Sequence, residues 1–160
     1  MPTLERIARG EENQTEFSIL IPSLVDRKEK RDELTRFIMG QAAGTRLELA
    51  VEILTLTDSG SWTTGKKRND LLGAANGAFL AFVDDDDWVS DNYVEEVIVA
   101  IRSNPNLDCL GIVGIISTNG MERRFVHSVA VRTWHEMNGI YYRPPNHLNP
   151  IRASIAKQFK

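Results

Sequence analysis

The run Ala78-Phe79-Leu80-Ala81-Phe82-Val83 carries no polar residue and stops abruptly at Asp84-Asp85-Asp86-Asp87, followed by Trp88. A short apolar run without alternation reads as a strand covered on both faces, the situation of an α/β sheet. Four carboxylates at its end repel one another unless a cation or a very polar ligand shares the site. In extended geometry successive side chains alternate, so Asp84 and Asp86 would point one way and Asp85 and Asp87 the other. Such an Asp-x-Asp pair suits a hard divalent ion, which takes oxygen ligands and is often completed by substrate phosphates. Other uses compete. A solvated acidic turn could cap the next helix. A calcium loop of the EF-hand type is opposed by Trp88 at its fifth position and by Val89 where the turn needs Gly. An aspartyl-phosphate enzyme would also place an Asp here, with nothing else in the sequence to support it. A metal-phosphate site leads.

At 160 residues the chain suits one domain with a genuine core, spanning 1–160. Its formal charge of −3 leaves no polybasic footprint, which argues against a nucleic-acid polymer as partner. Cys109 is the single cysteine and lies in the apolar stretch 107–116, the setting of a core residue rather than a nucleophile. No intrachain disulfide is possible, and neither a signal peptide nor an apolar run of membrane-spanning length is present, so a cytoplasmic setting is expected. No feature speaks to oligomeric state.

Along the chain, strands and helices alternate. Residues 1–16 are polar and read as a short helix or a loose N-terminal arm. Phe17 to Ile21 is the first strand, closed by Pro22. Asp26 to Met39 carries Leu34, Phe37 and Ile38 at helical spacing, with Gly40 and Gly44 helping to end it. Leu47 to Leu56 alternates and then runs apolar, a second strand. Gly65 to Ala75 suits a helix and Ala78 to Val83 a third strand. Ser90 is a candidate N-cap for a helix with Val94, Val97, Ile98 and Ile101 on one face. Leu107 to Ile116 and Phe125 to Val131 read as strands around the hairpin signal Asn119-Gly120. Residues 132–150 are less regular, and Ile151 to Phe159 suits a helix. The pattern implies a mainly parallel sheet flanked by helices, with ligands beyond the carboxyl ends of its strands.

That rule brings three segments together: Pro22-Ser23, Asp58 and the aspartate run. A pocket between them would hold a nucleotide. Asp58 also has a simpler use as a turn former before Ser59-Gly60. Gly65-Lys66-Lys67-Arg68-Asn69 opens the helix just upstream. Basic groups disfavour a helix N-terminus, so three of them there point to an anionic ligand. At least one of Lys66 and Lys67 is expected to be merely exposed. Arg68 is the better ligand group, because its planar fork binds phosphate in bidentate fashion.

Phe17-Ser-Ile-Leu-Ile-Pro22, the Asp58 loop, Gly65-x-x-Arg68-Asn69, Ala75-Asn-Gly77 running into Asp84-Asp-Asp-Asp87-Trp88, and Asn92-Tyr93-Val94 together resemble the GT-A-fold family-two glycosyltransferases. The resemblance covers roughly residues 17–155, in order and at sensible spacing. It implies a Rossmann-like GT-A sheet and transfer of sugar, with inversion, from a nucleotide-diphosphate donor, most often UDP-linked. Asp58 would then contact the nucleobase, with Pro22 and Ser23 bordering it through backbone groups. Arg68 would lie against the nucleotide or diphosphate and Asp84 near the ribose and donor sugar, with Asp85 a further nucleotide-sugar-binding residue. Asp86, with Asp84, would ligate Mn²⁺ or Mg²⁺, and His147 is a further candidate ligand or pocket wall. His127 and His135 read as structural.

One departure bears on turnover. Members of this family carry an acidic pair, usually Glu-Asp, beyond a segment like His147-Leu-Asn-Pro-Ile-Arg152, and that pair supplies the general base. No acidic residue follows His147 here. The expectation is a chain truncated before its base, with donor binding better supported than catalysis. Two other readings stay open: a donor-binding fragment or pseudoenzyme, and an Asp-dependent phospho- or nucleotidyltransferase. The acceptor, whether glycan, lipid or protein, is not legible.

Overall fold

The computed structural model describes residues 1–8 and 14–159. Its principal sheet is built from β1 (Thr3–Ala8), β2 (Phe17–Leu24), β3 (Val51–Asp58), β4 (Phe79–Phe82) and β9 (Ile151–Arg152), in the spatial order β1-β3-β2-β4-β9. The three inner strands are parallel, whereas both edges run antiparallel. Phe17 faces Val51 on one side and Phe79 on the other, and Leu24 faces Asp58. The carboxyl ends of β2, β3 and β4 therefore meet along one edge, as the alternating pattern implies.

Period-two alternation sorts the inner strands into two cores. Ile19, Ile21, Ile53, Ala81 and Val83 face α1 (Lys28–Ala42) and α3 (Tyr93–Ser103), where they meet Leu34, Ile38, Val94, Val97 and Ile98. Leu20, Leu54, Leu56, Leu80 and Phe82 face α2 (Thr64–Ala74) and the short α4 (Ala153–Ala156), meeting Leu71, Leu72 and Ala153. Each such Leu, Ile or Val contributes about 1.5–3 kcal/mol by leaving water. The short 3₁₀ turn Val25–Arg27 leads into α1. Among the described residues no helix is long and apolar enough to cross a membrane.

Several elements depart from the sequence reading. Residues 3–8 form an edge strand rather than a helix or loose arm; the remainder of the supposed arm at 9–13 lies outside the described residues. This strand is held by backbone pairing to β3 and by the Arg6 guanidinium on Glu52, so it shows no apolar period. β3 begins at Val51, not Leu47, because local bonds to Thr45 hold the preceding turn: its hydroxyl donates to the Ala42 carbonyl and accepts from Leu47 N–H. Helix α1 passes through Gly40 and ends before Gly44, whose φ of +69° suits glycine. The C-terminal segment gives only β9 and one turn of helix.

Beyond α3 lies a second sheet built from β5 (Ile112–Thr118), β6 (Met121–His127), β7 (His135–Met137) and β8 (Ile140–Arg143), in the spatial order β5-β6-β8-β7. The hairpin at Asn119-Gly120 is as expected, with φ of +52° and +76°, but its strands abut the two-residue turn directly, which shifts their bounds. Asn138-Gly139 repeats the same turn between β7 and β8, so the less regular stretch 132–150 holds one short hairpin.

At the amino end of the main sheet, Glu52 is fully buried and accepts from Ser18 Oγ and from the N–H groups of Asn76 and Gly77. This network clamps the turn that launches β4. A Cβ on Gly77 would lie 2.5 Å from Ser18 Oγ and 2.6 Å from Ser18 N, with no room to yield. Gly73, in α2, would meet nothing within 4 Å. Gly77→Ala should therefore cost about 1–3 kcal/mol in urea unfolding, whereas Gly73→Ala should be neutral or stabilising by up to about 1 kcal/mol. Equal effects at the two positions would contradict the clamp.

Candidate functional site

The strand ends enclose a cleft of about 310 Å³. β2 supplies Pro22, Ser23 and Leu24 to its wall, the turn after it Arg27, the start of α2 Thr64 and Lys67, and the β4 exit Asp84, Asp85 and Asp86. A second cavity of about 330 Å³ adjoins at Leu24 and reaches the loop tip Ser59-Gly60.

The four aspartates do not stay extended. Asp87 N–H donates to the Asp84 carbonyl at 3.0 Å, closing a turn, so the strict alternation fails. Asp85 folds inward and is buried, accepting from Ser23 Oγ at 2.7 Å and from Arg27 Nη1 at 3.0 Å. The same Arg27 nitrogen reaches the exposed Asp86 at 2.9 Å. Asp84 takes Arg68 Nη2 on both oxygens, at 2.9 and 3.0 Å. His147 arrives beside it because its carbonyl accepts from Phe82 N–H, which leaves Nε2 3.6 Å from Asp84. His147 and Arg68 together hold the Asp84 carboxyl down at about 2. At 3.6 Å the imidazole is an ion-pair contact, so Arg68 is the tighter partner. Asp87 is pushed up, by burial first and then by Asp84 and Asp86. It does not cap α3, nor does Ser90: Asn92 is the capping position.

Asp58 ends β3 in a buried setting. Trp62 N–H donates to Oδ2 at 2.7 Å and Ser61 Oγ at 3.3 Å, so its turn-forming use is real. Lys67 Nζ lies 2.9 Å from Oδ1, and this ammonium, then the Trp62 N–H, hold the carboxyl below its usual range. Of the two lysines, Lys66 is exposed over the Trp62 ring, while Lys67 is buried. Sequence reasoning missed Lys67. The signal was its spacing four residues before Leu71, on the buried face of α2. Arg27 was missed too, since a charged turn residue carries no periodic signal.

Among the described residues only three buried side-chain polar atoms lack an aligned hydrogen bond, and two belong here: Asp58 Oδ1 and Arg68 Nε. One is an acceptor and the other a donor. Among the described residues no group of three His, Cys, Asp or Glu side chains could hold a metal ion alone. The donor chemistry nevertheless fits a hard divalent ion as a partial shell, with Asp84 and Asp86 now balanced by guanidinium groups. His127 is buried against Asn149, and His135 stacks on Tyr142 in the second sheet, away from the cleft. Tyr141 and Tyr142 lie in β8.

Parallel strands whose carboxyl ends converge on an acidic turn, flanked by helices, are arranged as in the solved GT-A structure of TarS. The chain belongs to glycosyl transferase family 2, whose model matches residues 48–156. The family resemblance in its motifs is thereby borne out. Among solved structures, S. aureus TarS residues 1–349 is 18% identical with a TM-score of 0.50, over 90% of this chain and 49% of that one. The same TarS segment in complex with UDP-GlcNAc is 20% identical with a TM-score of 0.48, over 90% and 47%. The chain thus spans about half the length of these solved structures. No curated protein matches it.

Because the Asp84 carboxyl lies at about 2 when folded, below the unfolded value of roughly 3.9, its contribution to stability is complete above about pH 4 and lost as pH falls through about 2. Carbon-detected NMR titration should place its midpoint near 2. Arg68→Gln should raise that midpoint toward the ordinary carboxylate range. A midpoint unmoved by both Arg68→Gln and His147→Ala would contradict the pairing.

Proposed function

We propose that the chain is the donor-binding part of a glycosyltransferase that takes a nucleotide-diphosphate sugar, UDP-linked, in the strand-end cleft and transfers the sugar to a hydroxyl acceptor with inversion. The observation that carries this reading is the pair of under-satisfied buried groups, Asp58 Oδ1 and Arg68 Nε, which stand directly behind the cleft wall, in contact with its lining residues Lys67 and Asp84. A uracil imide N–H would give Asp58 Oδ1 an aligned donor beside the Lys67 ammonium, and a diphosphate oxygen would give Arg68 Nε an acceptor. Pro22 and Ser23 border the base through backbone groups, and Asp84 and Asp85 lie toward the ribose and sugar. TarS, as a complex with UDP-GlcNAc, binds a donor of this class.

Asp86 and Asp84, with His147 beside them, would hold Mn²⁺ or Mg²⁺ against the diphosphate. A bound divalent ion supplies charge stabilisation for the departing nucleoside diphosphate. Asp86 is the natural first ligand because it is exposed and held only by Arg27. No carboxylate follows His147 in this chain, so deprotonation of the acceptor is assigned to no residue here. An aspartyl-phosphate mechanism is less favoured, since its nucleophilic carboxylate must be free and Asp84, Asp85 and Asp86 each contact a guanidinium.

Calorimetric titration of UDP with Mn²⁺ and with chelator tests the reading. Affinity should fall by at least about tenfold, or 1.4 kcal/mol, in chelator, and Asp86→Ala should abolish that difference. Equal affinity in both conditions for the unaltered chain would remove Asp86 from the metal role.

A further inference from the structure

Lys67 is only 4% exposed, yet it carries an ammonium on the face of α2 that otherwise buries Leu71 and Leu72. A buried charge is costly unless closely paired, and an apolar side chain of similar volume often replaces such a pair without loss. A methionine would fill this space. Lys67 instead donates to the Ser23 carbonyl at 2.9 Å and lies 2.9 Å from Asp58 Oδ1. Those partners end different strands, so one ammonium ties the end of β2 to the end of β3. It also stands at the cleft wall, which Asp58 does not line.

The contact with Asp58 is oblique, so Oδ1 receives no aligned hydrogen bond, while Oδ2 is engaged by Trp62 and Ser61. An ionised carboxylate oxygen accepts at two lone pairs. Oδ1 therefore keeps a lone pair for a ligand donor, and the 2.9 Å contact with Lys67 fixes where that lone pair is aimed. We propose that Lys67 is the positioning residue for base selection: by pairing with Asp58 and clasping the Ser23 carbonyl, it presents a fixed, ionised acceptor that suits a base with a ring N–H and disfavours one with a ring lone pair there. The inference rests on the donor-binding reading above and extends it to a residue that need not touch the base. Uracil has that N–H. Cytosine does not.

The test titrates UDP, CDP and inorganic pyrophosphate, each with Mn²⁺, into the unaltered chain, Lys67→Met and Lys67→Arg. The unaltered chain should prefer UDP to CDP. Lys67→Met should lower that preference by at least about tenfold while pyrophosphate affinity stays within about twofold, and Lys67→Arg, which keeps the charge, should restore most of the preference. General loosening of the fold would weaken all three ligands together. If Lys67→Met does not fold, Lys67→Gln, neutral but still able to donate to the Ser23 carbonyl, is read in its place with the same expected loss. An unchanged UDP-to-CDP ratio in the neutral variant overturns this inference alone. An unaltered chain that binds UDP no better than pyrophosphate overturns the donor reading, and this inference with it.

Discussion

Parallel pairing of β2 with β3 on one side and β4 on the other is the constraint from which the site follows. The shared register brings Ser23, Asp58 and Asp84 to one edge, although they are far apart in sequence. The buried Glu52 network anchors the opposite end of the same strands through Ser18, Asn76 and Gly77. One end of the sheet is thus rigidly satisfied. The other end holds two of the three buried side-chain polar atoms, among the described residues, whose hydrogen bonding is incomplete.

Charge balance shapes that open end. Three cations from two elements meet the carboxylates: Arg27 from the turn after β2, and Lys67 and Arg68 from α2. Lys67 pairs with Asp58, Arg68 with Asp84, and Arg27 with both Asp85 and Asp86, which is how the four carboxylates coexist. Buried Asp58 and Asp85 are held by short contacts from fixed backbone and side-chain donors. Asp86 remains exposed and loosely held, the state in which a carboxylate can exchange one cation for another.

Much of this was legible in the sequence for a physical reason: burial on both faces leaves an apolar run, and Phe79 to Val83 is such a run. The convergence of Pro22, Asp58 and Asp84 followed from the rule for parallel sheets. What escaped were features held by hydrogen bonds rather than apolar period. The β1 edge strand is one, paired through its backbone with mostly exposed side chains. The turn at Asp84–Asp87 is another, because four identical residues give no local signal of where the chain bends. Lys67 was hidden because a buried ammonium looks in sequence like any surface lysine, and only its spacing from Leu71 marks it.

The central claim is that a metal-bound nucleoside diphosphate lodges where β2, β3 and β4 end. Paramagnetic broadening of amide signals by Mn²⁺-UDP tests it most directly. The account predicts strongest broadening at Ser23 to Arg27 and Asp84 to Asp87, with the strands of the second sheet from Ile112 to His127 spared. Broadening centred on that second sheet, or none at the aspartate turn with UDP bound, would contradict it.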